Sequence, residues 1–296
     1  VKLLYIAPER LAAGASQGML RRSGVTLIAV DEAHCVSQWG HDFRPDYLRV
    51  GELRQALQVP LAAFTATADP ETRQEIVEKL FTGREPRAFL HGFDRPNLHL
   101  AFQPKVKPRE QILAFAAARK GQSGIVYCGT RAKTETIAQA LRREGHAACH
   151  YHGGMEAEDR RSVEARLQRE DGLIVVATVA FGMGVDKPDI RWVAHADLPK
   201  SIEAYYQEIG RAGRDGAPAE TLTRFGAADI ALRRQQIDEG LAPVERKAAD
   251  HGRLNALLGL AEALTCRRTK LLDYFGDAPT ACNNCDLCDK PAEVAD

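Results

Sequence analysis

The sequence predicts an α/β protein of parallel, helix-covered sheets, followed by a small helical segment gathered around four cysteines. Three observations carry this. Short β-branched runs alternate with longer amphipathic segments up to about Phe225, as right-handed βαβ units require. Beyond Phe225 the strand signal stops, and residues 227–264 read as helices. Cys266, Cys282, Cys285 and Cys288 then crowd the C-terminal end.

Strands are predicted at residues 2–7, 26–30, 61–65, 124–128, 147–151, 173–177 and 192–196. Each is a short apolar run bounded by turn residues. Helices are predicted at residues 69–80, 109–118, 132–143, 156–169 and 201–212, where apolar positions recur at helical spacing. FDRPNLHLAFQPKVKPRE carries three prolines and no long apolar run, so it reads as a linker between domains. The resulting division is 1–93, 94–225, 226–291 and a short tail, 292–296. No fixed-period repeat appears.

A chain of 296 residues supports about two domains. Forty basic residues balance forty acidic ones, so any track for nucleic acid must be a local patch. No apolar stretch reaches the roughly 18 uncharged residues of a membrane span, so no membrane partner is expected. VKLLYIAPERL has no signal-peptide core and no initiator Met, and reads as a cut inside a longer protein. Seven cysteines, four of them in one cluster, favour reduced thiols and a metal site over disulfides, hence a cytoplasmic setting.

Open α/β sheets bind ligands at the carboxyl ends of their strands. Those ends carry DEAH, TATAD, CGTR, TVAFGMG and HADLP. In DEAH, Asp31 can hold Mg²⁺ while Glu32 polarises an attacking water; a solvated acidic turn would look the same. In FTATAD, Thr65 and Thr67 offer hydroxyls that can link a metal-bound carboxylate to a neighbouring lobe, or belong to an ordinary helix cap. QEIGRAGRDG presents Arg211 and Arg214, which share a face if the helix continues through them. A guanidinium fork there would stabilise a transferring phosphoryl group. Trp39 and Phe43 offer flat faces to unpaired bases, and Arg44 can stack or pair with phosphate. Cys266 with CNNCDLC can close a tetrahedral Zn²⁺ site, although CxxCxxC also suits an iron–sulfur cluster.

AHCVSQWGHDFRPDY, FTATAD, GIVYCGTRAKTETIAQAL, VVATVAFGMGVDKPD and YYQEIGRAGRDG, in that order, resemble the RecQ family of superfamily 2 DNA helicases across essentially the whole chain. The resemblance implies two RecA-like lobes that close on ATP and Mg²⁺, the first of them incomplete here, with an appended zinc subdomain. It implies ATP-driven 3′-to-5′ translocation and unwinding of DNA in recombination, repair and replication, with a place in the SOS response. The implied partners are single-stranded DNA, duplex junctions and a single-stranded DNA-binding protein, in the bacterial cytoplasm or nucleoid.

Residue by residue, the resemblance makes Asp31 the Mg²⁺ organiser and Glu32 the general base. His34 and Gln207 would sense the nucleotide across the cleft. Arg214 would be the arginine finger, with Arg211 beside it. Thr178 and the stretch from Gly182 to Asp186, Gly184 included, would bridge DNA backbone and nucleotide. Ser37, Trp39, His41, Phe43 and Arg44 fall in the family's aromatic-rich loop, which couples DNA contact to hydrolysis. Thr130 and Arg131 would contact DNA. CRRTKLLDYFGD resembles the family's zinc-subdomain helix, which turns the four cysteines toward structural zinc.

His150 and His152 share a strand face and are read as structural. Cys35, Cys128 and Cys149 are read as packed thiols. No GxxxxGK[ST] occurs anywhere in the chain. Without that nest of N–H groups and its Lys, the chain alone is expected not to hydrolyse ATP. Two other classes stay in view, a zinc-stabilised binder descended from a helicase and an RNA-directed relative. Intact DEAH, TATAD and GRAGRDG argue against the first; the aromatic loop and the cysteine cluster argue against the second.

Overall fold

An apolar run becomes a strand only where a neighbour completes its hydrogen-bond ladder, because unpaired backbone N–H and C=O groups are costly to bury. That condition separates the predicted strands that form from the one that does not. The computed structural model describes residues 2–11, 14–37, 43–182, 185–278 and 282–291. The chain divides into two units: Val1–Phe93 with Tyr274–Asp277, and Asp94–Asp273 with Ala278–Asp296.

The first unit runs α1 (Pro8–Leu11), α2 (Gly14–Arg22), β1 (Ile28–Val30), two 3₁₀ turns (Ala33–Val36 and Pro45–Tyr47), α3 (Leu48–Leu57), β2 (Leu61–Ala63) and α4 (Pro70–Leu80). β1 and β2 are parallel, with Ile28, Ala29 and Val30 opposite Leu61, Ala62 and Ala63. Ala33, Cys35, Val36, Val50, Leu53 and Leu80 form the centre of its core. α4 starts where Asp69 accepts a hydrogen bond from the Thr72 N–H (2.7 Å), with Pro70 supplying a preset φ. Asp69, not a threonine, is therefore the cap within FTATAD. Tyr274–Asp277 is fastened to this unit: Phe275 stacks on Phe93 at 4.4 Å, and the Asp277 carboxylate accepts from the Phe93 N–H at 2.7 Å. Residues 2–7, predicted as a strand, pair with nothing among the described residues; Leu3 and Tyr5 are 69% and 88% exposed. The apolar pattern is present, but a ladder partner is not.

The second unit runs β3 (Leu98–Pro104), α5 (Pro108–Ala117), β4 (Gly124–Tyr127), α6 (Arg131–Arg143), β5 (Ala148–Tyr151), α7 (Ala157–Arg169), β6 (Ile174–Ala177), β7 (Trp192–His195), α8 (Ile202–Ile209), β8 (Ala219–Phe225), α9 (Ala227–Glu239), α10 (Val244–Ala261), α11 (Arg267–Tyr274, whose last residue belongs to the first unit) and α12 (Asp286–Asp289). Its six strands are all parallel, in the order β3-β8-β7-β4-β6-β5. β4, β6 and β7 are buried at every position, as parallel strands covered on both faces must be. Trp192 is fully buried, lies edge-on to Phe115 at 5.6 Å and covers Gly124, where an added Cβ would fall inside its ring.

The proline-rich stretch read as a linker contains β3, whose seven residues pair with β8 from Leu98–Ala219 to Pro104–Phe225. Neither strand was predicted from sequence, because each becomes legible only beside a partner far along the chain. β3 is an edge, and two of its N–H groups are met by the cysteine-rich segment: Leu100 donates to the Asn284 carbonyl and Phe102 to the Asp286 carboxylate. That contact protects the edge.

Candidate functional site

At the end of β1 the chain leaves its ladder at Asp31. Glu32 takes a left-handed conformation (φ 50, ψ 44), its N–H held by the Asp31 carboxylate at 2.9 Å. A non-glycine residue at such φ costs about 1–2 kcal/mol, so the surrounding structure fixes this turn. The two backbones are tied there: Phe64 N–H donates to the Val30 carbonyl and Ala33 N–H to the Phe64 carbonyl, both at 2.8 Å. The turn brings DEAH and TATAD together. His34, 2% exposed, lies with Nδ1 3.0 Å from the Thr65 hydroxyl and 3.4 Å from the Glu32 carboxylate. Thr67 is buried, and its N–H donates to the Thr65 hydroxyl at 3.4 Å. Asp31 is exposed and Glu32 partly so, which leaves both carboxylates accessible to an ion or a water.

Of the aromatic-rich loop, Trp39 and His41 lie outside the described residues. Ser37 is only 2% exposed, and its N–H donates to the His34 carbonyl at 3.0 Å. Phe43 and Arg44 are half-buried, and the Arg44 N–H returns to the Cys35 carbonyl at 2.9 Å. Both ends of the loop are thus anchored beside the carboxylates. Burial, then the neighbouring Cys35, pushes the Tyr47 phenol up to about 12, so it stays neutral beside Arg44.

In the second unit α8 ends at Ile209, and residues 210–216 turn. Arg211 and Arg214 therefore do not share a helix face, which corrects that expectation. Gly213 takes φ 56, and the helix stops because the Arg95 and Asn97 side chains capture the carbonyls of this loop, Gly213 among them. Each arginine is oriented by a backbone carbonyl. Arg211 donates to Gly182, which has φ 138 and no room for a Cβ beneath that guanidinium. Arg214 donates to Val185 (3.0 Å) and pairs with Asp186 (3.1 Å). Gly184 lies outside the described residues. Gln207 is half-buried on α8, and the Thr178 N–H donates to the Tyr151 carbonyl at the end of β5.

Thr130 caps α6 by accepting from the Lys133 N–H at 3.3 Å, which leaves Arg131 exposed in the first turn. Beneath them lies Asp197, absent from the sequence reading. It accepts from the Gly129 N–H (2.8 Å), Lys105 Nζ (2.8 Å) and Lys133 Nζ. Burial pushes this carboxyl up, but the two ammonium groups and the N–H prevail and hold it at about 2. His195 was missed as well. Its Nε2 lies 2.9 Å from Glu208 and its Nδ1 3.1 Å from the Thr223 hydroxyl, all buried. The signal for both residues was the polar HADLP at a strand end.

Cys266, Cys282, Cys285 and Cys288 bring their sulfurs within 4.8 Å of one another. Four convergent thiols are a structural zinc donor set. The surroundings fit a doubly negative Zn–thiolate centre, because buried Arg268 donates Nε to the Cys282 sulfur at 3.3 Å. Arg268 also holds Asp94 and the Arg95 and Leu98 carbonyls. Cys35, Cys128 and Cys149 are buried thiols.

The comparisons with known proteins follow the same order. The DEAD/DEAH box helicase family matches residues 1–76, the helicase conserved C-terminal domain 105–216 and the RecQ zinc-binding family 227–289. The chain is 46% identical to "ATP-dependent DNA helicase RecQ" of Haemophilus influenzae over 298 residues, covering 100% of this chain and 48% of that protein. It is 39% identical to "RecQ-like DNA helicase BLM" of Xenopus laevis, over 96% of this chain and 22% of that one. The chain thus spans about half the length of its bacterial relatives or less of the longer ones. Among solved structures it is similar to Mycobacterium smegmatis Lhr bound to single-stranded DNA and AMP-PNP (TM-score 0.56, 21% identity, 88% of this chain, 42% of that one). It is also similar to Saccharomyces cerevisiae Dbp5 bound to RNA and ADP BeF3 (TM-score 0.57, 18% identity, 81% and 68%). These two share the fold, with different nucleic acids. Parallel sheets, the RecQ zinc-binding match and 46% identity along the full chain make this chain a member of the RecQ family.

Proposed function

We propose that this chain is the coupling portion of an ATP-dependent DNA helicase that moves 3′ to 5′. The observation that carries the reading is the DEAH–TATAD junction, where Asp31 and Glu32 stand accessible at a strand end while His34 bonds Thr65. In this reading Asp31 organises Mg²⁺ and Glu32 takes the proton of the attacking water. His34 and Gln207 sense the nucleotide, and Thr65 and Thr67 relay its state. Arg214, beside Arg211, stabilises charge on the transferring phosphoryl group. Thr178, Gly184 and Asp186 line the nucleotide and backbone segment. Trp39, His41, Phe43, Arg44, Thr130 and Arg131 contact DNA, with Ser37 anchoring the loop from inside. The division at 1–93, 94–225 and 226–291 separates the first lobe, the second lobe and the zinc module. The expected partners are single-stranded DNA, junctions and a single-stranded DNA-binding protein, and the expected setting is the cytoplasm.

The test uses a chimera in which this chain replaces the aligned 298-residue stretch of the Haemophilus influenzae relative. ATP-dependent unwinding of a 3′-tailed DNA duplex, with no unwinding of the RNA counterpart, is the expected result. Equal unwinding of RNA, or of a 5′-tailed duplex alone, would overturn the reading. The isolated chain, which has no GxxxxGK[ST], is expected to show DNA binding without DNA-stimulated ATP hydrolysis.

A further inference from the structure

His150 and His152, read from sequence as a strand pair with a structural role, acquire a third neighbour in the fold. Glu135 on α6 reaches the end of β5, where the His152 Nε2 lies 3.0 Å from its carboxylate. The two imidazoles are close to parallel, with ring centroids 5.5 Å apart, as residues two apart on one strand face must be. One ligand atom from each of the three side chains lies within 4.8 Å of the others. Nitrogen and oxygen ligands at roughly 2.0–2.2 Å from a tetrahedral ion stand about 3.3–3.6 Å apart. The three groups thus need to close by only about an ångström.

We propose that Glu135, His150 and His152 form a second metal site, distinct from the cysteine cluster, for a divalent ion of the zinc, nickel or copper class. Two imidazoles and one carboxylate suit those ions and do not suit Mg²⁺ or Ca²⁺, which take oxygen ligands. The donors stand on rigid elements, so little order must be created on binding. His152 is 6% exposed, and its Nδ1 is buried with no hydrogen-bond partner. Its Nε2 faces the Glu135 carboxylate, so an ion bound at Nε2 would take the place of the proton shared between those two groups. His150 is half-buried and borders a cavity of ≈600 Å³ lined also by His146, Cys149, Met155 and Asp159. A bound ion would pin α6 to the end of β5, and α6 begins at Thr130 and Arg131.

The test is a titration of the untagged, zinc-loaded chain with Ni²⁺, followed by calorimetry and native mass spectrometry. One additional ion per chain is expected, with zinc retained and without a thiolate charge-transfer band. His150→Gln, at a half-buried position, is expected to weaken it at least about tenfold, since even outer partners of a metal ligand contribute 10–100-fold. Glu135→Gln should do the same, and His146→Gln should leave it unchanged. Absence of the extra ion would overturn the proposal. So would unchanged affinity in His150→Gln, or a thiolate band marking the cysteines as the ligands.

Discussion

The two α/β units hold their candidate groups by opposite means. In the first, two three-residue strands lie side by side and β1 ends in the strained turn at Glu32, and the groups there hold one another: His34 on Thr65, Thr67 on Thr65, Glu32 on Asp31. In the second, a six-stranded sheet with fully buried central strands fixes the backbone, and the arginines lean on carbonyls of Gly182 and Val185. Acid–base groups exposed at a turn can respond to a bound ion or water. Guanidiniums locked to carbonyls present a fixed positive charge and need no reorganisation when negative charge develops. Under the proposed roles, proton handling and charge stabilisation would fall to differently supported backbones.

The largest effect that would break this comparison lies in the second unit. Arg214→Ala in the chimera is expected to lower kcat for DNA-stimulated ATP hydrolysis by about 10³–10⁵, the worth of an arginine finger. Arg214→Lys should not rescue it, because a point charge lacks the planar fork. A loss below tenfold would remove Arg214 from that role. The rigidity of the sheet is tested by Gly124→Ala, whose Cβ would overlap the Trp192 ring. A destabilisation of about 3 kcal/mol is expected in urea unfolding, and a neutral result would show that the core gives way.

A smaller effect concerns Asp197, held at about 2 by Lys105, Lys133 and the Gly129 N–H. Its folded pKa lies below the ordinary 3.8, so its contribution is present above about pH 4 and is lost as pH falls toward 2. Wild type should exceed Asp197→Asn by about 2 kcal/mol at pH 6, and the gap should close between pH 4 and 2. A gap that does not change with pH would locate its worth in packing. The smallest effect is in the first unit. Thr65→Val removes the His34 hydrogen bond and should cost about 1 kcal/mol, while slowing ATP hydrolysis in the chimera more than that loss of stability explains.

Much of this was legible in the sequence, because the apolar runs and polar strand ends that make β4 to β7 are local signals. β3 and β8 were not legible: their pairing joins Leu98 to Ala219, and prolines on either side of β3 imitate a linker. Residues 2–7 show the converse, a strand pattern with no ladder among the described residues. Within the site, Asp31, Glu32 and the cysteines stand out by their pattern in the sequence, and His34 enters only through the family resemblance. Asp197, His195 and Glu135 do not stand out, since each takes its meaning from residues brought to it by the sheet. The helix expected over 201–212 ends at Ile209 and does not continue through Arg211 and Arg214, where Arg95 and Asn97, more than a hundred residues earlier, hold the carbonyls of Gly210 and Gly213.

The central claim is that Glu32, at its strained turn, is the base of a DNA-stimulated ATP hydrolysis. Single-turnover hydrolysis by the chimera with Glu32→Gln, at saturating ATP and single-stranded DNA, tests it most directly. A rate lower by about 10²–10⁴ is expected, with ATP and DNA affinities within a few-fold of the parent chimera. Hydrolysis within twofold of the parent would contradict it.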